Sequence, residues 1–496
     1  MGKKRKRGKK ADRFYGKAAT PSKAYEAALN TPQRRVPYGA NQSQDGAADG
    51  ALSSVRDWGR YLDENHDLAS GVLDELVKNV VGTGIITIPK PLNADGSIDE
   101  VLGVDLMREF ERWTRASDVT GELSWSDAQR LICRAWFRDG EEFLQHVGGV
   151  NNSYPFRPDD VPYRIELLES DMVPVDLSND EGWRQGIRQD TWRRPLEYAV
   201  ARTHPNDTLI GASGLGGVAS LDPDNYKRVN SAFMTHIKFV KRWPATRGMS
   251  IFSDVISRLY DVKDLEESER IKNRILASWT AAVQRSPDIP GLDDSDTSGQ
   301  RYLAMAGGTV IDTLAPGETI VGVGPEYPVA GFPEHIADQI RRVASGTGTR
   351  YSSISKHYEG SYSALRQEMV ESEGAYAIRE DAFVGKVVRT VYERWAQAAV
   401  LSGAVAVPGY DGTVDATLRL ANAEYRGPVT PWIDPLKEVQ ADALAVEKGF
   451  ASIDQIRIKR GAPADMIGTP APVAAAPPPA NAPAQLSLIQ DDEAAA

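Results

Sequence analysis

Apolar residues recur at helical spacing from Val55 through Trp58, Leu62, Leu68, Val72, Leu73, Leu76 and Val80. This predicts helical structure from about Ser53, closed by Gly82 and Gly84, with a strand at Ile85–Ile88. A second helical pattern uses Leu106, Phe110, Trp113 and Val119, and a third runs from Asp127 through Leu131, Ile132, Ala135 and Trp136. Strand-like runs follow at Glu142–Val147, Tyr163–Leu168, Leu196–Thr203 and Ile237–Val240, so residues 53–245 read as one mixed α/β block. A long helix is predicted from about Ser250 to Gln284, on Ile251, Val255, Leu259, Val262, Ile271, Ile275 and Trp279. Its run of both charge signs from Asp261 to Arg274 is a solvated face.

Pro, Asp and Ser make residues 285–300 a loop, and Thr309–Thr313 and Thr319–Val323 are short strand candidates. A short helix is expected from Pro333 to Val343. The clearest element lies between Tyr362 and Leu401, where no proline occurs and Leu365, Met369, Tyr376, Phe383, Val387, Val391 and Trp395 repeat at spacings of three, four and seven. Such a helix would be roughly 60 Å long at about 1.5 Å per residue, and Gly374 and Gly385 weaken it enough to allow a kink. A further short helix covers Pro435 to Lys448. Breakers and few apolar groups make residues 1–50 an arm. From Pro470 the Ala/Pro composition, ending in Asp491-Asp-Glu-Ala-Ala-Ala496, predicts a disordered tail.

Charge sharpens this outline. The chain of 496 residues has formal net charge −11, yet seven of its first ten residues are Lys or Arg. Without that head, 51 basic face 69 acidic residues, a body of net −18. Such a body repels phosphates on average, so it is a poor nucleic-acid clamp but a suitable wall for a passage through which DNA must slide. One cysteine excludes an intramolecular disulfide framework and a cysteine-rich zinc site. No apolar run is long enough for a membrane-spanning helix, and no apolar segment follows the basic head as a secretory signal requires.

Candidate chemistry is sparse. There is no P-loop, no His-Glu-x-x-His pair and no Gly-x-Ser-x-Gly elbow; the glycines of 211–217 and 346–348 lack the lysine a phosphate loop needs. The six histidines (His66, His146, His204, His236, His335, His357) show no ligand spacing, and Cys133 reads as a buried, unreactive thiol. Glu141 with Glu142, or Glu166 with Glu169, are the carboxylate pairs that a metal-dependent nuclease would use.

Four blocks carry a resemblance. Arg56-Asp-Trp…Asn65-His-Asp-Leu-Ala-Ser-Gly71…Lys78-Asn-Val-Val-Gly-Thr-Gly-Ile85 resembles the opening helix of lambda-type phage portal proteins. His236-Ile-Lys-Phe…Arg242-Trp-Pro…Arg247-Gly248, followed by a charged helix, resembles the same family. So do Tyr351-Ser-Ser-Ile-Ser-Lys-His-Tyr358…Ser361-Tyr-Ser-Ala-Leu-Arg366 and Trp432-Ile-Asp-Pro-Leu-Lys-Glu438…Ala441…Gly449. The blocks are in order and span about 53–462.

The resemblance implies an α+β portal fold with wing, stem, clip and crown, assembled as a cyclic ring with a central channel. Transferred here, 1–52 is a flexible basic arm, 53–249 the wing, 250–284 the helix leading into the stem and 285–332 the clip. Residues 333–345 are then the second stem helix, 346–361 the tunnel loop, 362–434 the long helix and its return to the wing, 435–462 the crown and 463–496 the tail. It implies a non-enzymatic protein without cofactor or metal. Its partners would be its own copies (typically twelve), the terminase large subunit, the major capsid and scaffold proteins, the head-completion or tail connector proteins, and duplex DNA in the channel, with no membrane. Its place would be the capsid portal vertex, reached from the host cytoplasm during assembly. Arg350, Lys356 and His357 would touch DNA in the tunnel; equally, Arg350 and Lys356 would cap helices or pair with local carboxylates. Glu318 and Glu326 would face a terminase or connector from the clip, or simply be generic surface. Two other classes fit the residues alone: a metal-dependent nuclease, and a monomeric DNA-binding or scaffold protein using the basic arm.

Overall fold

In a computed structural model of the protein, the described residues are 42–149, 155–157, 160–179, 181–205, 226–278, 282–285, 318–321, 331–358, 360–429 and 435–460. Ser43 accepts a hydrogen bond from the Gly46 amide and opens a short helix, α1 (Gln44–Ala48). Asp45 is buried there, accepting from the Thr246 amide (2.7 Å) and hydroxyl (3.0 Å). The expected arm over 1–52 is therefore packed from Ser43 onward, because one buried carboxylate latches it to a strand-side loop 200 residues away.

The apolar stretch that follows is two helices, α2 (Leu52–Asn65) and α3 (Asp67–Val80). They part at His66, whose backbone is extended and whose Nε2 lies 3.0 Å from the Leu259 carbonyl oxygen. Strand β1 (Ile86–Pro89) leads to α4 (Glu100–Thr114), whose N-cap Asp99 accepts from the Leu102 amide. Leu106, Phe110 and Trp113 of α4 point inward; Val119 lies beyond its end. Helix α5 (Trp125–Arg138) is capped by Ser124 and buries Ile132, Cys133, Trp136 and Phe137, while Leu131 faces outward.

Two antiparallel sheets follow. Strands β2 (Glu141–Gly148), β3 (Tyr163–Leu168) and β8 (Met234–Lys238) form one in the order β3-β2-β8. Strands β4 (Trp183–Arg184), β5 (Ile187–Gln189), β6 (Pro195–Ala201) and β7 (Tyr226–Asn230) form the other in sequence order. The strand expected at 237–240 lies three residues earlier. β4 and β5 are too short for a period to show, and β7 reads Tyr-Lys-Arg-Val-Asn, mostly polar. The middle strand β2 is covered on both faces, so Leu144 joins the helical core and Phe143 joins a second core with Leu168, Ile187, Tyr198, Val200 and Met234 between the sheets. Among the described residues the helical core centres on Trp395 and Tyr392, with the Phe110 ring 4.8 Å and 5.3 Å from theirs.

Ser250 starts a 3₁₀ turn, and α6 (Ile256–Ser278) then ends well before the expected Gln284. Residues 282–285 are instead a strand, β9 (Ala282–Arg285), paired antiparallel with β10 (Glu318–Val321). A pairing partner more than thirty residues away leaves no mark on local periodicity. Helix α7 (Phe332–Thr347) is longer than the predicted 333–345 and ends on Gly348, which has a left-handed backbone (φ 64°). The expected tunnel loop over 346–361 is thus partly helical: it begins inside α7 and contains α8 (Tyr351–Ser355).

The long helix is continuous but not uniform. α9 (Tyr362–Phe383) passes through a π-helical turn at Val384–Val388 into α10 (Arg389–Leu401). Gly385 sits in that turn, whereas Gly374 leaves α9 regular. Helix α11 (Val414–Leu420) precedes β11 (Ala423–Arg426), which pairs with β1 and brings the chain back to its beginning. Helices α12 (Pro435–Glu447) and α13 (Ile453–Lys459) complete the described chain. No described helix is long and apolar enough to cross a membrane. The head of the arm, the loop at 211–217, the strand Thr309–Thr313 and the tail at 463–496 lie outside the described residues.

Candidate functional site

The residues that carried the family resemblance in the first two blocks meet at one carboxylate. Glu141, at the start of β2, is fully buried. Its Oε1 accepts from Arg247 Nε (2.7 Å) and is 3.5 Å from Arg56 Nη2. Its Oε2 accepts from the Gly248 amide (2.9 Å) and lies 2.9 Å from His236 Nε2. Arg247 spends its other donors on the carbonyls of Val173, Gln185 and Ser170 and lies over the Phe143 ring. Arg56 continues to Asp171 (2.7 Å), and Asp171 to Arg60, which also pairs with Asp139. The cluster ties α2, α5, both sheets and the segment before α6 together. Every charge in it has a partner, as burial requires.

Burial opposes ionisation of Glu141, but the Arg247 guanidinium and the His236 hydrogen bond outweigh it and hold the carboxyl far below its ordinary range. Burial pushes His236 down to about 4 despite Glu141, and pushes His146, held between Tyr163 Oη and Thr235 Oγ1, down to about 3. Glu142 faces the helices; burial and then the Asp139 charge push its carboxyl well up. A histidine with a depressed folded value contributes stability that is complete above pH 6.5 and lost as pH falls. Each should cost about 1.4 kcal/mol per pH unit from there toward its folded value. Glu142 acts oppositely, its protonated form favouring the fold at lower pH. His146 stands apart from the carboxylates, so His146→Gln is expected to flatten the fall in urea midpoint between pH 6.5 and 4. Parallel profiles for the two proteins would remove His146 from the account.

One carboxylate of each nuclease pair is already committed. Both Glu141 oxygens are taken by arginine, histidine and backbone donors, and Glu166 pairs with Lys227 (3.3 Å). Among the described residues, one group has ligand atoms close enough for a cation: Glu169, Asp171 and His204. Arg60 already sits on both of its carboxylates, and Arg56 on Asp171. Two guanidiniums on these carboxylates oppose a divalent cation. Cys133 is buried, and burial pushes its thiol up, away from reactivity.

The proposed tunnel residues divide. Arg350 precedes α8 and is largely covered: its Nη2 donates to Asn79 Oδ1 (2.9 Å), its Nε lies 3.3 Å from Glu75 Oε1, and its guanidinium lies over Tyr376. It pins α8 to α3 and α9. Lys356 follows α8 with a left-handed backbone (φ 55°), and Lys356 and His357 are exposed. Tyr358 and Tyr362 are exposed as well. Glu318 opens β10 opposite Arg285, and Glu326 lies outside the described residues.

Comparison with known proteins gives the following. The model of a family described as phage portal protein, lambda family, matches residues 33–379. A probable portal protein of Halomonas phage phiHAP-1 is 24% identical over 400 residues, covering 78% of this chain and 73% of the relative. Portal protein B of Escherichia phage lambda is 23% identical over 239 residues, 44% of this chain and 45% of the relative. Among solved structures, a chain from the neck of a native gene transfer agent particle is 14% identical with TM-score 0.41, covering 83% of this chain and 94% of that one.

Proposed function

Because the chain belongs to the lambda family of phage portal proteins, we propose that it acts as one subunit of a closed ring, typically of twelve copies, that lets DNA into and out of the capsid. A phage portal protein is a structural component of the virion. On this reading α6 and α7 form the stem, the β9–β10 hairpin belongs to the clip, and α9 with the segment around α8 borders the channel. Terminase, connector, capsid and scaffold proteins would dock on the assembled ring.

One observation carries the ring: α9 has 22 residues, yet only Tyr376 and Phe383 are buried within one chain. Tyr362, Val370 and Ile378 are left exposed on it, as are Val101 and Val104 on α4 and Phe450 after α12. Helices gain most of their stability from packing, so a helix this long with two buried residues calls for neighbours. Closure of identical copies supplies them. The purified protein of 54.2 kDa is expected to sediment as a ring, about twelvefold heavier than one chain, or roughly 650 kDa. A particle that stays monomeric, also with its capsid partners present, would count against the ring.

On this reading Lys356 and His357, both exposed, would be the residues of 346–361 that meet phosphates, while Arg350 would serve by holding α8. Deleting the segment would be a poor test, since Thr347, Ser352 and Ile354 are buried. The double variant Lys356→Ala with His357→Ala is expected to form rings of unchanged mass. It should lower DNA retained in filled capsids by about threefold or more as salt-sensitive contacts are lost. Unchanged packaging and retention would remove these two residues from the channel.

A further inference from the structure

The first family block also contributes Lys78 and the turn Gly82-Thr83-Gly84, and these serve neither the Glu141 cluster nor the segment around α8. They line a groove of about 750 Å³ beside β1 and β11. Lys78, Arg130, Arg426 and Arg460 line it with one carboxylate, Asp74, in a chain whose body is strongly acidic; just outside the lining, Arg130 also pairs with Asp127 and Arg460 with Asp442 (2.5 Å). Asp74 is itself paired with Arg134 (2.6 Å). Between the cations the wall is apolar: Val77, Pro428, the half-exposed Ile86 (39%) and Val429 (38%). Among the described residues Lys78 is exposed and carries no ion pair.

Such a groove fits a short apolar run followed by carboxylates, and this chain has one. Residues 461–496 hold four acidic residues and no Lys, Arg or His. Near their end stand Leu486-Ser-Leu-Ile489 and then, after Gln490, Asp491-Asp-Glu493. Arg460, the last described residue, lines the groove itself, so the chain departs from the site it would return to. The 25 residues between Arg460 and Leu486 span at most about 80 Å when extended, far more than the return needs. Being on the same chain also gives the segment an effective concentration that a separate peptide lacks.

We propose that residues 486–493 dock in this groove of their own chain, with Leu486, Leu488 and Ile489 on the apolar wall and Asp491, Asp492 and Glu493 against the cations. This inference does not depend on ring assembly.

The test uses the full-length protein and a zero-length carbodiimide, which condenses a lysine amine with a carboxylate. The expected product joins Lys78 to one of residues 491–493 within one chain, and amides of 486–490 exchange at least about tenfold slower than in a free peptide of the same sequence. Leu488→Asp with Ile489→Asp should abolish both signals. Lys78→Glu should abolish the protection, and adding Asp492→Lys should restore it, which a merely misfolded Lys78→Glu variant could not do. Unprotected amides in the intact protein overturn the proposal. So do cross-links confined to Lys3–Lys10 of the arm, or cross-links that join isotopically distinct copies. Protection of the groove by a duplex oligonucleotide and not by the tail would assign it to nucleic acid instead.

Discussion

Glu141→Ala is expected to destabilise the protein by about 3–5 kcal/mol, because it leaves Arg247 and Arg56 buried without their shared anion. Arg247 has no exposed side-chain surface and is fixed by three carbonyls, so it cannot swing out to water. Glu141→Gln keeps the shape and an acceptor but loses the charge, and should cost less. In the double variant Glu141→Leu with Arg247→Leu, the loss should be clearly smaller than the sum of the single losses, since the two charges disappear together. Urea unfolding at pH 7 measures all of these. A loss below about 1 kcal/mol for Glu141→Ala would mean that the buried network contributes little beyond solvating itself. The Glu141 share of stability should also fade below about pH 4.5, where the unfolded carboxyl takes up a proton and the folded one still resists.

Gly248→Ala should be at least as damaging, with a loss of about 3 kcal/mol or more, or failure to accumulate in soluble form. A Cβ built on Gly248 meets the Gly140 carbonyl oxygen at 2.0 Å and the Gly140 carbonyl carbon at 2.8 Å. That oxygen accepts from the Phe239 amide at 2.7 Å, so it cannot retreat freely. Gly140 adds a left-handed backbone (φ 92°), and a Cβ there would stand 2.3 Å from the Met249 carbonyl carbon. The two backbones touch so that the Gly248 amide can reach Glu141, which makes Arg247-Gly248 a single device: one residue supplies charge, the next supplies access. Yields and urea midpoints close to those of the unaltered protein would show that the two backbone segments can separate at small cost.

The candidate site was legible in part. Arg56, His236 and Arg247-Gly248 stand out in the sequence as parts of a resemblance, but nothing local says that they converge. Glu141 stands out there only as one of two neighbouring carboxylates, which suggests a metal pair. Strand alternation separates that pair: Glu141 turns to the arginines while Glu142 turns to the helices. Arg350 reads equally as a channel contact or as a local partner of carboxylates. The deciding fact is Glu75, 275 residues earlier in the chain, which α3 brings beside it.

Sequence alone determined the elements whose period is long and whose faces differ: α4 and α5, the strand at Tyr163–Leu168, the proline-free run from Tyr362 to Leu401, and the family to which the chain belongs. In these, hydrophobic spacing and backbone preference agree over many residues, so local physics suffices. Only the tertiary structure decided the break at His66, the latch at Asp45, the β9–β10 and β1–β11 pairings, and the burial of Glu141 among its donors. Each of these depends on a partner at least thirty residues distant, and pairing at that range is set by which surfaces remain to be covered once the local elements exist.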